Sequence, residues 1–143
     1  MLPKYHILIG FLVSLIIVFT FNIPWIGGLI IFLSSFLIDV DHYLYYVFKE
    51  RDISLKNAYN YFLKIRDKVN KNKKNYKPLF IIFHGVETLI ILLIFISLNF
   101  FRDFFSWILI GFIIHLSLDY IDYIKSGIPI SGKLSQIYVY YQK

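Results

Sequence analysis

The sequence predicts an all-α protein: a four-helix transmembrane bundle with an amphipathic helix in its long cytoplasmic loop. Three observations predict it. Of the 143 residues 58% are apolar and 17% charged, with a mean hydropathy of +0.64, whereas soluble domains are about half apolar and a quarter charged. The apolar residues gather in four runs, and ten of the 15 Lys and Arg residues lie between Lys49 and Lys77, dividing the runs into two pairs. This composition excludes a disordered chain, which needs more polar residues, and a disulfide-stapled module, because there is no cysteine. Any metal ligands must therefore be nitrogen or oxygen. The net charge of +6 does not indicate nucleic acid, because the bases concentrate in one loop between apolar runs.

The whole chain, 1–143, reads as one integral membrane domain. The first run, Ile7 to Phe21, predicts a span over about 5–22, and the second, Pro24 to Ile38, a span over about 24–42. The first has no small-residue cleavage site and is followed at once by the second, so it reads as a retained helix in a tight hairpin turning at Asn22-Ile23-Pro24. The basic segment follows, over 49–78, with ten bases against Glu50, Asp52 and Asp67. Lys and Arg near span ends accumulate on the cytoplasmic side, so both termini and this loop are expected there, in a multi-pass protein of the cell membrane. Within the loop, Leu55, Ala58, Tyr59, Phe62, Leu63, Arg66 and Val69 keep helical spacing after a Ser54 cap. That predicts a surface helix offering Lys56, Lys64, Arg66 and Lys68 to lipid headgroups, followed by a flexible stretch over 70–75. A plainer reading makes the loop only an orientation signal. The third and fourth runs predict spans over about 79–101 and 104–122.

Ionisable side chains inside apolar spans are costly and so are candidates for function. The four histidines, His6, His42, His84 and His115, fall one to each run. Asp39 and Asp41 precede His42, Glu87 follows His84 by three, and Asp119 and Asp122 follow His115 by four and seven. Spacings of three, four and seven share one helical face. Counted from the external ends at about 1.5 Å per residue, all four patches lie between roughly 16 and 27 Å deep, in one layer near the cytoplasmic face. Each patch alone has a simpler explanation: His6 as an interfacial residue, Asp39 to His42 as a polar helix end, the others as structural pairs, and Asp122 as a headgroup-level residue beside Lys125. Their common depth joins them. So many carboxylates and imidazoles in one pocket call for a counter-charge, of which a metal cation is the simplest.

At this point the residues resemble the YdjM-like inner-membrane-associated metal-dependent hydrolases. That family has a histidine near the start of the first helix, Asp-x-Asp-His at the end of the second, a His-containing motif opening the third, and Gly-aromatic-x-x-His-x-x-x-Asp in the fourth. The corresponding residues are His6, Leu37-Ile38-Asp39-Val40-Asp41-His42, Phe83-His84-Gly85-Val86-Glu87, and Gly111-Phe112-Ile113-Ile114-His115-Leu116-Ser117-Leu118-Asp119. The resemblance covers nearly the whole chain, with two departures. Ile38 stands where the family commonly has Pro, and the third motif carries one histidine and Glu87, which implies a ligand exchanged for a carboxylate or a metal lost. The family itself distantly resembles zinc-dependent phospholipase C, which implies phosphoester chemistry.

The expectation is therefore a membrane-embedded hydrolase with divalent metal held by His6, Asp39, Asp41, His42, His84, Glu87, His115 and Asp119. The mixed ligand set suits zinc first, with manganese or iron as alternatives. Asp41 or Glu87 is the expected general base. Membrane lipids are the expected surroundings, and an anionic lipid or other phosphoester the expected substrate, with no nucleic acid partner. The competing readings are a metal-ion or proton-coupled carrier, a metal-stabilised scaffold without turnover, and a partner-binding protein acting through the loop. Oligomeric state and the role of the C-terminal segment stay open.

Overall fold

A computed structural model of the chain describes residues 3–73, 78–130 and 134–141. Among the described residues it is helical throughout, without a strand. The elements are α1 (Pro3–Phe21), α2 (Trp25–Leu37), α3 (Val40–Glu50), α4 (Leu55–Lys71), a 3-10 turn at Ile82–His84, α5 (Val86–Ser97), α6 (Arg102–Ser126) and a short α7 (Gln136–Tyr141).

Among the described residues, three helices are long and apolar enough to cross a membrane: α1, the nearly continuous Trp25–Glu50 formed by α2 and α3, and α6. Their outward faces carry exposed large apolar side chains such as Leu8, Leu12, Ile16, Phe19 and Leu29, the pattern expected where the solvent is lipid. The fourth run differs from its expected span. Residues 79–81 are non-helical, Ile82–His84 is a 3-10 turn, and the helix that follows has only 12 residues. At about 1.5 Å per residue that is roughly 18 Å, short of a hydrocarbon core of about 30 Å. The cause lies in alternative partners for the backbone. The amide of Ile81 donates to Gln136 Oε1 (2.8 Å) and that of Phe83 to Asp41 Oδ2 (2.8 Å). Irregular backbone survives in an apolar setting only where the protein supplies such partners.

Helix α2 is the centre of the bundle, packed between α1 and α6. Small residues set this packing. The buried stripe of α1 is His6, Gly10, Ser14 and Val18, at strict four-residue spacing, and α2 answers with Gly27, Gly28, Ile31, Ser34 and Ser35. A Cβ added at Gly10 would collide with the Ser35 hydroxyl. One added at Gly111 of α6 would lie 2.6 Å from the Ile31 carbonyl oxygen and 2.8 Å from Ser34 Cβ. Close backbone approach of this kind drives helix association where apolar burial alone does not. The serines do not disturb it, because Ser14 and Ser35 donate to the carbonyls of Phe11 (2.8 Å) and Phe32 (2.7 Å) in their own helices.

The hairpin turn at Asn22 has left-handed backbone (φ 49°), and α2 begins after Pro24. The second run continues beyond its expected end at 42, to Glu50, after a break at Ile38 and Asp39. Arg51 then caps α3 in the left-handed conformation, and Ser54 caps α4, accepting from the Asn57 amide (3.3 Å). The expected loop helix is present over 55–71. Asn70 and Lys71 form its last turn, while Lys74 and Asn75 of the expected flexible stretch lie outside the described residues, as does Gly132. Asp52 anchors this corner, accepting from the Tyr46 hydroxyl, the Ser54 amide (2.9 Å) and the Asn57 side chain (2.8 Å). Those donors, the Tyr46 hydroxyl foremost, hold its pKa below the usual aspartate value.

Gly111→Leu forces α6 away from α2 and should lower stability by about 1–3 kcal/mol, read as a depressed melting temperature in detergent. Leu8→Ala on the outer face should stay within about 0.5 kcal/mol. Because Asp52 is depressed in the folded state, its anchoring is in full force above the ordinary aspartate range near about pH 4 and is lost as pH falls through the folded value. Amide exchange at the start of α4 should accelerate on that acidification in the parent, whereas Asp52→Ala should show fast exchange at all pH values.

Candidate metal centre

Four elements converge at one end of the bundle. α1 contributes His6, the α2–α3 junction Asp39, Asp41 and His42, the 3-10 turn His84, and α6 His115 and Asp119. His6, His84 and His115 are fully buried, and Asp41 and Asp119 nearly so. Burying this many ionisable groups is unfavourable unless each is paired or coordinated.

The break between α2 and α3 arranges the first ligand. Asp39 donates its backbone amide to Phe36 (3.2 Å) instead of continuing the helical ladder to Ser35. The Ser35 carbonyl then serves His115, whose Nδ1 lies 2.9 Å away. A carbonyl only accepts, so Nδ1 carries the proton and Nε2 presents its lone pair. Asp41 does the same for His84, with Oδ2 at 3.1 Å from Nδ1. Its other oxygen lies 3.1 Å from His42 Nδ1. The two prepared nitrogens, His84 Nε2 and His115 Nε2, face one another at 3.1 Å. Two imidazole lone pairs this close repel unless a proton or a cation lies between or beside them.

Carboxylate oxygens complete the surroundings. Asp39 Oδ1 is 3.3 Å from His42 Nδ1, 3.4 Å from His84 Nε2 and 3.7 Å from His115 Nε2. Asp119 Oδ2 is 3.8 Å from each of the latter two nitrogens, and its Oδ1 is 3.3 Å from His6 Nε2. Metal–ligand bonds of about 2.0–2.2 Å in tetrahedral geometry separate ligand atoms by roughly 3.3–3.6 Å. The Asp39–His42, Asp39–His84 and Asp119–His6 separations fall in that range, and those between His84 and His115 (3.1 Å), Asp39 and His115 (3.7 Å) and Asp119 Oδ2 and either ring (3.8 Å) lie just outside it. His6 supplies an independent test. It is fully buried, its ring stacks on His115 at 4.0 Å, and neither nitrogen makes a hydrogen bond among the described residues, Asp119 Oδ1 at 3.3 Å from Nε2 being a close charge contact only. A buried imidazole so weakly engaged beside carboxylates has a nitrogen available to a cation. Among the described residues, three overlapping sets could hold an ion: His6, Asp39 and His115; Asp39, His42 and His84; His84, His115 and Asp119.

Of the expected ligands, His6, Asp39, His42, His84, His115 and Asp119 are thus brought together. Asp41 stands behind them, with both oxygens engaged in holding the His42 and His84 rings and the Phe83 amide. Glu87 is not in the cluster. The 3-10 turn and the extended Gly85 (φ −114°, ψ 164°) interrupt the helix between His84 and Glu87, so the three-residue spacing no longer places them on one face. Its carboxylate instead caps α7, accepting from the Ser135 hydroxyl and the amides of Gln136 and Ile137, both at 3.1 Å. Neither of these carboxylates lines the cavity described next.

That cavity, of about 360 Å³, opens beside the cluster and is floored by Asp39, His42, His84 and Asp119. Its wall is α4, whose apolar face turns inward through Ala58, Phe62 and Val69. Asp39 and His42 keep 24% of their side-chain surface exposed, so the cluster is open on this side. Three contributors were not singled out in the sequence. The Ser35 carbonyl has no side-chain signature. Gln136, buried and lining the cavity, was detectable only as an amide within an aromatic tail. The Arg66–Asp122 ion pair (3.5 Å) joins α4 to α6, and neither partner's sequence neighbourhood names the other.

No protein-family profile, curated protein or solved structure matches this chain.

The capping role of Glu87 gives a separable outcome. Glu87→Gln should loosen α7, seen as faster amide exchange over residues 136–141, while leaving divalent-metal stoichiometry at the parent value. Loss of metal in this variant would put Glu87 among the ligands after all.

Proposed function

We propose that this chain is a multi-pass membrane hydrolase, metal-dependent, acting on a phosphoester or lipid substrate from the cytoplasmic face, and that it belongs with the YdjM-like hydrolases it resembles. The observation that carries the reading is the facing pair of Nε2 atoms, 3.1 Å apart, ringed by Asp39 and Asp119, with His84, Asp39 and Asp119 also lining the cavity beside α4. On this reading the fourth run, with its turn and α5, inserts beside the three longer helices to make a four-helix bundle. The basic loop then keeps both termini on the cytoplasmic side.

His6, Asp39, His42, His84, His115 and Asp119 would hold the metal, with zinc favoured by the imidazole-rich set and manganese or iron as alternatives. A bound divalent ion supplies Lewis-acid polarisation of an ester and activation of water at neutral pH. The chain's own groups do the rest. Ser35 and Asp41 fix the His115 and His84 tautomers, a positioning role that typically governs affinity by about 10–100-fold. Asp39 borders the cavity, and with Oδ1 turned to the imidazoles its Oδ2 can take a proton from a water approaching from that side. Asp41 and Glu87, the bases expected from sequence, have their carboxylates engaged away from the cavity. α4 excludes bulk water from the cluster's open side. A carrier is less well supported, since the polar groups occupy one end of the bundle and the buried stripe beyond them is Gly10, Ser14, Val18 and Ile31.

Metal content of detergent-purified protein tests the reading. About one or more equivalents per chain are expected in the parent, none in the His115→Ala, Asp119→Ala double variant, and binding weakened about 10–100-fold in Asp41→Asn. Absence of metal from the parent after reconstitution would set the hydrolase aside in favour of a hydrogen-bonded proton network. Metal without phosphoester turnover would favour a scaffold.

A further inference from the structure

We propose that the cavity between α4 and the His/Asp cluster is a subsite for an amphiphile with a phosphate head and one apolar chain, Arg66 receiving the phosphate and α4 the chain. The inference deepens the hydrolase reading and rests on its bound cation, because Asp39, Asp119 and Asp122 also line the cavity and repel an anion unless they are neutralised.

The cavity is chemically divided. Its floor is the metal-binding cluster, while its walls are apolar, with Leu55, Ala58, Phe62 and Val69 of α4 opposed by Ile81 and Ile128. An amphipathic helix at a membrane surface ordinarily turns its apolar face into lipid. Here that face is turned onto a protein cavity instead, leaving an apolar surface that water covers poorly. At about 360 Å³ the space is near the lower end for ligand sites of roughly 300–1,000 Å³, which suits one chain and not two.

Arg66 makes the occupant an anion. It is the one arginine or lysine among the described residues lining the cavity, and it lies on the same α4 face as Ala58 and Phe62. Its guanidinium is 3.5 Å from Asp122 Oδ1, at the long end of a charge-assisted bond. Asp122 is three residues beyond Asp119 on α6, a rise of roughly 4.5 Å. A phosphate taken by Arg66 is therefore within one helical turn of the cluster. Arg binds phosphate through paired N–H donors, a better match than the single contact to Asp122. A phosphate between Arg66 and the cluster, with its chain along α4, satisfies the charge and the apolar wall together. Inorganic phosphate satisfies only the first, and a neutral lipid only the second.

The test uses the full chain in phosphatidylcholine nanodiscs and a dodecyl phosphate bearing a diazirine at its chain end, with labelled peptides mapped by mass spectrometry. Labelling is expected in residues 55–71 and to be competed by unmodified dodecyl phosphate at least about a hundredfold better than by butyl phosphate or inorganic phosphate. Dodecanol should compete weakly. Arg66→Gln should weaken dodecyl phosphate by about tenfold, Arg66→Lys less, and Ala58→Trp should block labelling by filling the cavity. The Arg66 variants should keep the parent's metal content, which verifies their fold. Competition by inorganic phosphate equal to that by dodecyl phosphate would overturn the chain assignment, and indifference to Arg66→Gln the phosphate assignment. Labelling is expected to fall when metal is stripped and to return when it is added back. If the parent binds no metal even after reconstitution and is labelled all the same, the subsite stands and the hydrolase falls. If metal binds and soluble phosphoesters are cleaved but α4 is not labelled, the subsite alone fails.

Discussion

The structure depends on bringing uncapped imidazole nitrogens together in a place from which water is excluded. His84 and His115 can meet through Nε2 only if each Nδ1 has its own acceptor, and each acceptor dictates a departure from regular helix. The Ser35 carbonyl becomes available because α2 stops before α3 starts. Asp41 reaches both His84 and the Phe83 amide because the chain before α5 is not helical. A continuous pair of helices would be the more stable choice in an apolar medium, where each lost backbone bond is costly. The breaks persist because the same backbone groups are satisfied by the residues that orient the rings.

Around this centre the fold is a close-packed frame with a softer cover. α1, α2 and α6 meet through Gly10, Ser35, Gly111 and Ser34, so the distance between His6, Asp39 and His115 is set by backbone contact and not by flexible side chains. The cover consists of α4 and α7, held by polar ties: Asp52 at the start of α4, Arg66–Asp122 along it, and Glu87 with Gln136 at α7. Ligands thus stand on rigid elements, while the cavity wall stands on elements that solvent and charge can influence.

Much of this was legible because helical rise is fixed. Counting residues from the outer ends placed His6, Asp39, His42, His84, His115 and Asp119 at one depth, and they do meet. Ser54, followed by a 3.6-residue apolar rhythm, located α4. The count could not anticipate irregular backbone. Glu87 was assigned to the cluster on the assumption of unbroken helix after His84, and Gly85 breaks it. Asp41 was expected as a ligand and general base, yet beyond the junction at Ile38 and Asp39 it holds His84 and the Phe83 amide instead. The membrane-surface reading of α4 used the right periodicity, but periodicity says only that one face is apolar, not what covers it.

The ligand set is drawn from residue 6 to residue 119, and this spacing governs how the protein must be made. A ribosome delivers α1 and the α2–α3 rod long before α6 emerges. During that interval His42 already has Asp39 and Asp41 beside it, but His6 lacks Asp119 and the α2–α3 carboxylates lack His84 and His115. The polar cluster is therefore among the last parts of the fold to be completed, because it closes only when α6 has been made.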